Sequence, residues 1–275
     1  MFENLKLQSE DKIMALMSLY KADERKEKID LGVGVYKNNK GQTPIMDAVQ
    51  KASRILNNTQ KTKSYVGLSG NLGFIDNISQ LVLADAVPKN QIIGAQAPGG
   101  TGAFHQLLLL IRSIEKDKRV WISSPSWPNH AAILNHLGIQ FNNYNYFDYD
   151  TCEVNFSRMM SDLQKISSGD VLLLHGCCHN PTGANLSLEN WTELTQFCEK
   201  KNILPLIDLA YQGFGDGIND DVKGVQYMAS NLPEVCIGIS CSKNFGLYRE
   251  RVGAALMVVS DKKIHKLVEE NLKSF

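Results

Sequence analysis

The lysine of the stretch "ISCSKNFGLYRERVG" (239–253) is the residue best placed for covalent chemistry in this sequence of 275 residues. An apolar run precedes it, so Lys243 stands where a buried strand would end. Burial and a nearby cation such as Arg251 lower the pKa of a lysine and make its amine a nucleophile. Arg251 could also bind a phosphate group bidentately. The alternative is that Lys243 is a solvated loop charge.

A glycine-rich turn offers a second set of anion-binding atoms. In "APGGTGAFHQLLLL" (97–110), Gly99, Gly100 and Thr101 directly precede a helix-like run. Backbone N–H groups and the positive end of a helix dipole therefore meet there, which favours a phosphate site. The dinucleotide-binding fingerprint is incomplete because a histidine replaces its third glycine, and no P-loop GK[ST] follows. A tight strand-to-helix turn is the alternative.

Three further loops carry side chains that suit a planar, charged ligand. Trp127 lies between two prolines in "SSPSWPNH" and suits ring stacking, with core packing as the alternative. Asp208 ends the apolar run "ILPLID", and Tyr211 follows three residues later. A buried carboxylate at this position needs a cationic partner. The alternative is that Asp208 is the N-cap of a helix. Asn180 precedes a proline and presents an amide, or serves only as a turn residue.

The histidines do not predict a metal site. His175 and His179 are four residues apart, a spacing that suits a metal only on a helix. His175 falls on a predicted strand, and Pro181 breaks any helix that follows it. His130 begins the helix after Trp127, either as a site residue or as an ordinary residue of the helix start. No metal ligands are predicted.

Strand-like and helix-like segments alternate along most of the chain and would position these residues. The predicted strands are 92–97, 119–123, 139–146, 171–176, 203–208, 235–240 and 252–259. The predicted helices are 102–116, 129–137, 156–165, 187–201, 220–230 and 261–273. This pattern predicts an α/β fold of three α/β/α layers around a mostly parallel, seven-stranded sheet. In such a fold the site lies beyond the carboxyl ends of the strands.

Composition and charge exclude several classes of function. Lys+Arg and Asp+Glu number 29 each, so no basic excess indicates a nucleic-acid or membrane-surface partner. The apolar runs are too short to span a bilayer, and the N-terminus lacks a secretion signal. The six cysteines form no CxxC pair and are predicted to be reduced thiols, which indicates a cytoplasmic location.

Together these residues form the parts of one kind of site: a phosphate cup, a stacking ring, a partner for a pyridinium, a phenol and an amine nucleophile. That set predicts an enzyme that uses pyridoxal phosphate. A nucleotide-dependent oxidoreductase is a remote alternative, because the glycine fingerprint is incomplete and no acid ends a second strand at the required distance. A non-catalytic remnant is the other alternative.

Six motifs, in the same order along the chain, closely resemble those of the class I aspartate and aromatic aminotransferases. They are "IDLGVGVY" (29–36), "PGGTGA" (98–103), "PSWPNH" (125–130), "HGCCHNPTG" (175–183), "DLAYQGF" (208–214) and "SKNFGLYRERVG" (242–253). The resemblance implies the large domain of a fold-type I pyridoxal phosphate transferase over 46–275, incomplete at its C-terminal end. It implies an N-terminal arm and part of a small domain over 1–45, with the C-terminal small domain missing.

The resemblance also implies a role for each site residue. Lys243 forms the Schiff base and moves the proton, Asp208 keeps the pyridine nitrogen protonated with His130 behind it, and Tyr211 bonds the ring oxygen. The cofactor is further bound by Gly100, Thr101, Trp127, His175, Asn180, Ser240, Ser242, Arg251 and, from the other subunit, Tyr65. Gly34, Trp127 and Asn180 contact the substrate.

The implied reaction is ping-pong transamination between an L-amino acid and 2-oxoglutarate in a homodimer with shared active sites. Val35, Lys37, Thr43 and Thr101 are similar to the bacterial aspartate type, with aromatic amino acids as further donors. In the family, two arginines that bind the substrate carboxylates lie beyond the last residue, Phe275. The resemblance therefore leaves open a truncated, inactive or cofactor-binding remnant of such an enzyme.

Overall fold

The computed structural model describes residues 3, 12–30, 32, 34–114 and 117–275. The chain divides into two compact units, Met1–Ile45 and Met46–Phe275. The first unit contains helix α1 (Lys12–Ala22), after which Asp30 pairs with Lys37. The assignment of 1–45 to an N-terminal arm and part of a small domain remains a prediction.

A seven-stranded sheet forms the centre of the second unit, as the alternation of segments predicted. Its strands are β1 (Ile92–Pro98), β2 (Val120–Ser124), β3 (Phe141–Asn145), β6 (Val171–His175), β7 (Leu204–Leu209), β8 (Glu234–Ser240) and β9 (Val252–Val259). Their order is β1-β9-β8-β7-β6-β2-β3, and a small hairpin of β4 (Phe147–Asp148) and β5 (Glu153–Val154) lies apart from it. Apart from β1 and β3, these strands are almost wholly buried, mainly apolar runs, as expected of a sheet covered on both faces.

One strand of the sheet runs against the others. β9 pairs antiparallel with both β1 and β8, whereas β2, β3, β6, β7 and β8 pair in parallel. The beginning of β9 therefore lies at the same edge as the carboxyl ends of its neighbours: Val252 is in register with Pro98, and Gly253 with Ser240. This reversal brings Arg251, which precedes β9, to the edge where the other strands end.

Helices cover both faces of the sheet and complete the three-layer α/β/α fold. In the described residues of the second unit they are α3 (Leu72–Leu83), α4 (Gly99–Ile114), α5 (Pro128–Leu137), α6 (Phe156–Leu163), α7 (Leu188–Lys201), α8 (Lys223–Asn231) and α9 (Lys262–Lys273). A further helix, α2 (Asp47–Thr59), has no buried residue. Short 3₁₀ helices lie at Lys89–Gln91 and Asp220–Val222. One apolar core joins the sheet to α3, α6, α7 and α8, and a second joins it to α4, α5 and α9.

The structure differs from the predicted elements in two places. Helices α2 and α3 were not predicted, and α2 includes the end of a stretch interpreted as a connector. The second difference concerns the glycine run: α4 begins at Gly99, so these glycines form the first turn of the helix rather than preceding it. Their N–H groups therefore belong to the unpaired donors of a helix N-terminus.

Candidate active site

Lys243 lies in the turn that follows β8, at the carboxyl edge of the sheet. Its side chain is partly buried, and its Nζ atom lies 5.0 Å from the centre of the Tyr211 ring. Burial lowers the pKa of Lys243, the charge of Asp208 raises it and the charge of Arg251 lowers it, with a net downward shift. More of this amine is therefore neutral and nucleophilic at a given pH than in an exposed lysine.

A buried pair of Asp208 and His130 lies at the same edge. Asp208 is in β7 and only 7% exposed, and its Oδ2 atom accepts a hydrogen bond from Nε2 of His130 at 2.9 Å. The other ring nitrogen, Nδ1, lies 3.0 Å from the hydroxyl oxygen of Ser126. Because Asp208 lies within a strand, the alternative of a helix N-cap is wrong.

The protonation state of Asp208 follows from its neighbours. Burial raises the pKa of this carboxyl, but the hydrogen bond and charge of His130, together with the charge of Lys243, outweigh it. The pKa therefore lies below its usual value, and Asp208 is ionised at neutral pH. A buried carboxylate in this state suits a cationic N–H group of a ligand.

Aromatic rings hold the His130 imidazole in place. The ring centroids of Phe104 and Trp127 each lie 5.1 Å from it, and that of His175 lies at 5.2 Å. Trp127 stands edge-on to His130 at 89° and is only partly buried, so it is not a core side chain. This arrangement leaves the stacking role predicted for Trp127 available to a ligand.

Backbone and hydroxyl groups converge on the guanidinium of Arg251. Its Nη1 atom donates to the hydroxyl of Ser242 at 3.1 Å and to the carbonyl of Tyr248 at 3.2 Å. The hydroxyl of Ser240 accepts a hydrogen bond from the Ser242 N–H at 3.3 Å. Two serines and an arginine thus lie together at the junction of β8 and β9, and their binding of a phosphate remains a prediction.

The glycines of the first turn of α4 form the other wall of this cup. Gly99 has φ 73°, and a Cβ atom there would lie 2.7 Å from Nη2 of Arg251. A Cβ atom at Gly100 would lie 3.1 Å from Cβ of Ser240. Side chains at these positions would therefore fill the cup, whereas glycine leaves its helix N–H groups open to an anion. Thr101 is the next residue of the same turn.

His175 and Asn180 lie beside Asp208. His175 is in register with Asp208 on the neighbouring strand, and its Nδ1 atom accepts a hydrogen bond from the Asn180 N–H at 3.4 Å. Burial lowers the pKa of His175 well below its usual value, so the ring is neutral. Its Nε2 atom is buried and has no hydrogen-bond partner, which makes it available to a polar ligand.

His179 is engaged by the protein on both sides of its ring. Its Nε2 atom lies 2.9 Å from the hydroxyl of Ser123, and its Nδ1 atom lies 2.9 Å from the hydroxyl of Thr182. The ring stacks on Tyr146 with centroids 4.0 Å apart. Burial, with a smaller effect of the charge of His130, lowers the pKa of His179 to about 4. His179 is therefore a structural neighbour of His175 rather than half of a metal pair.

The roles of two further site residues remain predictions. The side chain of Tyr65 is fully exposed, and its contact with a partner subunit remains a prediction. Gly34 belongs to the first unit, and its place near a substrate remains a prediction.

Comparisons with known proteins identify the family. The model of "Aminotransferase class I and II" matches residues 26–273. The chain is a class I and II aminotransferase. It is 49% identical to the aromatic-amino-acid aminotransferase of Paracoccus denitrificans over 98% of this chain and 68% of that enzyme. It is 41% identical to the aspartate aminotransferase of Escherichia coli over 95% of this chain and 67% of that enzyme.

A solved structure shows the same fold around the cofactor. The aromatic-amino-acid aminotransferase from Burkholderia pseudomallei, covalently bound to pyridoxal phosphate, superposes on this aminotransferase with a TM-score of 0.96 and 34% identity. The match covers 100% of this chain and 69% of that one. The cofactor of this aminotransferase is therefore pyridoxal phosphate.

The residues present fit that cofactor. The cup of Gly99, Gly100, Ser240, Ser242 and Arg251 offers a cation, hydroxyls and helix N–H groups to a phosphate. The ionised Asp208 suits a pyridinium N–H group. The unpartnered Nε2 atom of His175 is a buried polar group that a ligand would satisfy. Lys243 supplies an amine with a lowered pKa for a covalent bond.

Several residues that shape the aminotransferase site were missed from the sequence. Ser126 bonds His130, Ser123 bonds His179, and Phe104 packs on His130. A Cβ atom at Gly238 would lie 2.6 Å from the Phe104 ring, so glycine there makes room for it. Ser126 is four residues before His130, so this pair could have been predicted from the sequence as a contact at the helix start. The contacts of Ser123 with His179 and of Phe104 with His130 depend on the order of the strands.

Proposed function

We propose that this aminotransferase moves the amino group of an L-amino acid to 2-oxoglutarate in two half-reactions, in ping-pong order. The observation that carries the proposal is the buried, ionised Asp208 at the same sheet edge as an amine, Lys243, whose pKa is lowered. An anion that holds a cationic ring and a neutral amine that moves a proton are the two groups that amino-group transfer requires.

Asp208 and its neighbours act as the electrostatic half of the site. When bound, pyridoxal phosphate supplies an aldehyde that takes up the amino group and an electron-poor ring that accepts the charge left by the α-proton. Asp208 stays ionised and stabilises the positive charge on the ring nitrogen, and His130 orients the carboxylate through its hydrogen bond. Tyr211 and Asn180 would donate to the oxygen of the ring, and Trp127 would stack on its face.

Lys243 acts as the proton-transfer half of the site. Its amine would hold the cofactor between turnovers and, once freed by the substrate amine, its Nζ atom would act as the base and acid that moves the α-proton. Arg251, Ser240, Ser242, Gly100 and Thr101 bind the phosphate and so fix the position of the carbon at which the proton moves.

Both donor classes named by the relatives suit this proposal. One relative is an aromatic-amino-acid aminotransferase at 49% identity, and another is an aspartate aminotransferase at 41%. We expect aspartate and at least one aromatic amino acid to serve as donors, with Gly34, Trp127 and Asn180 in contact with the substrate.

The test measures transfer by the purified chain supplied with pyridoxal phosphate. Aspartate, tyrosine and phenylalanine are each offered with 2-oxoglutarate, and glutamate formation is recorded for the wild type and for Lys243→Ala. We expect glutamate from the wild type and a loss of at least about 100-fold in the variant, because the nucleophile and proton carrier are one residue. Equal rates in both proteins, or no glutamate from any donor, would overturn the proposal.

A homodimer in the cytoplasm completes the proposal. Helix α2 has no buried residue, and its Ile55 and Leu56 are 60% and 57% exposed. Tyr65 and Leu68, a few residues further on, are 105% and 81% exposed. An apolar surface of this kind suits a second copy of the chain, whose site Tyr65 would then reach.

The proposed location is the cytoplasm. All six cysteines are unpaired, which suits a reducing compartment. No helix in the described part of the chain meets the length and hydropathy needed to cross a bilayer.

A further inference from the structure

Two adjacent cysteines and an aspartate lie close together outside the residues assigned to transamination. The Sγ atoms of Cys177 and Cys178 and a carboxylate oxygen of Asp221 all lie within 4.8 Å of one another. Cys177 and Asp221 are buried, and Cys178 is partly exposed. We propose that this group, the Cys177–Cys178–Asp221 cluster, binds a thiophilic divalent metal ion of the zinc and cadmium class.

The backbone at Cys178 is the reason that two successive thiols meet. In a continuing strand, adjacent side chains point to opposite faces of the sheet. Cys178 instead has φ 45°, a left-handed conformation that non-glycine residues rarely adopt. Its N–H donates to Oδ1 of Asn185 at 2.6 Å, which holds the turn. An unusual backbone held in this way is a feature of binding sites.

The carboxylate of Asp221 is held in one orientation by the segment that follows Tyr211. Its Oδ2 atom accepts from the N–H groups of Gly213 and Gly215 at 2.7 and 3.0 Å, and its Oδ1 atom accepts from the N–H of Asp216 at 2.7 Å. A carboxylate has about four acceptor positions, so one remains for a metal. Hydrogen bonds of this kind fix metal ligands before the ion binds.

Gly215 keeps the space around the donors open. A Cβ atom there would lie 2.6 Å from Oδ1 of Asp221 and 3.4 Å from Sγ of Cys178. A side chain at this position would therefore displace the donor atoms, whereas glycine leaves them facing one another.

A cavity gives an ion access to the cluster. It has a volume of about 380 Å³, and its lining includes Cys177, Asp221, Asp216 and Asp220. Asp216 and Asp221 place carboxylates on the wall, whereas Asp220 is paired with Lys223, which also lines the cavity. Cys178 does not line this cavity, so the ion would enter from the side of Cys177 and Asp221. The cavity has room for water as the fourth ligand. Zinc binds sulfur at about 2.3 Å and oxygen at about 2.0–2.2 Å in tetrahedral sites. Tetrahedral geometry then puts the donors nearly 4 Å apart, so they need to approach by no more than about 1 Å.

The bound ion would join two segments that also carry site residues. Cys177 and Cys178 lie between His175 and Asn180, and Asp221 holds the segment after Tyr211 through its backbone hydrogen bonds. Both thiols would bind as thiolates and release their protons to solvent. Because the site forms only in the folded chain, the metal should raise the temperature of unfolding.

Cadmium titration of the purified chain tests the proposal. Thiolate bonds to Cd²⁺ give an ultraviolet charge-transfer absorbance, recorded for the wild type, Cys178→Ser, Cys177→Ala and the control Cys152→Ser. Cys152 is exposed and lies outside the cluster. We expect one tightly bound ion in the wild type and control, and affinity weaker by about tenfold or more in both cluster variants.

Circular dichroism identifies any variant that fails to fold. If one of Cys178→Ser and Cys177→Ala does not fold, the metal affinity of the other one tests the proposal. Zn²⁺ should also raise the unfolding temperature of the wild type and control but not of the cluster variants. Binding by Cys178→Ser or Cys177→Ala that equals that of the wild type would overturn the proposal. Loss of Cd²⁺ binding in Cys152→Ser would also overturn the proposal, because the ion would then be bound by the exposed thiol of Cys152 and not by the cluster.

Discussion

At the scale of single residues, the site depends on charges that set the state of the Lys243 amine. Asp208 and Arg251 act on it with opposite sign: the carboxylate raises the pKa of the lysine, and the guanidinium lowers it. Burial adds to the effect of the guanidinium, so the net shift is downward. Reactivity of the amine therefore rises with pH through a midpoint below that of an exposed lysine.

Removal of each charge should shift this midpoint in a known direction. Asp208→Asn removes a negative neighbour and should lower the pKa of Lys243, and Arg251→Gln removes a positive one and should raise it. The measurement is the rate at which pyridoxal, which lacks the phosphate, is fixed on Lys243 by borohydride at a series of pH values. A midpoint that moves the same way in both variants would contradict this account.

The sequence predicts the individual site residues well and their partners poorly. Lys243 and Asp208 are recognisable because each polar side chain ends an apolar run. The contact of His179 with Ser123 joins residues 56 positions apart, and only the pairing of β2 with β6 brings them together. No local spacing records such a contact, so it could not be predicted.

At the scale of elements, the phosphate cup is made by the start of α4 and the junction of β8 and β9. The strands were predictable because buried parallel strands are continuous apolar runs. The reversed direction of β9 was not predictable, because an apolar run does not indicate in which direction a strand runs within the sheet. Helix α2 was missed although Val49, Ala52 and Leu56 recur at helical spacing, a pattern that was open to prediction.

Gly99→Ala tests whether Gly99 is needed for phosphate binding, with Gly138→Ala as the matched control. Gly99 and Gly138 have φ 73° and 65°, and a Cβ atom at Gly138 would meet nothing within 4 Å. Either alanine variant should lose about 1–2 kcal/mol of unfolding free energy from the backbone conformation. Only Gly99→Ala should also bind pyridoxal phosphate more weakly, because its Cβ atom meets the Arg251 guanidinium. Cofactor titration by absorbance measures this; equal affinity in both variants would count against the cup.

At the scale of the whole molecule, the exposed apolar surface of α2 should mediate association. Ile55→Asp should convert a dimer into a chain of 30.6 kDa, as measured by light scattering. The control is Leu267→Asp, because Leu267 is similarly exposed at 63% but lies on α9. Dissociation should also weaken cofactor binding, since Tyr65 would no longer reach a partner. A mass that is the same in the wild type and Ile55→Asp would contradict the proposed interface.

The central claim is that Lys243 is the covalent anchor of the cofactor, and peptide mass spectrometry tests it most directly. The wild type and Lys243→Ala are incubated with pyridoxal phosphate, reduced with borohydride, digested and analysed. We predict that the reduced cofactor is found on the peptide containing Lys243 in the wild type and on no peptide of the variant. The same modification on another lysine in both proteins, with none on Lys243, would contradict the account.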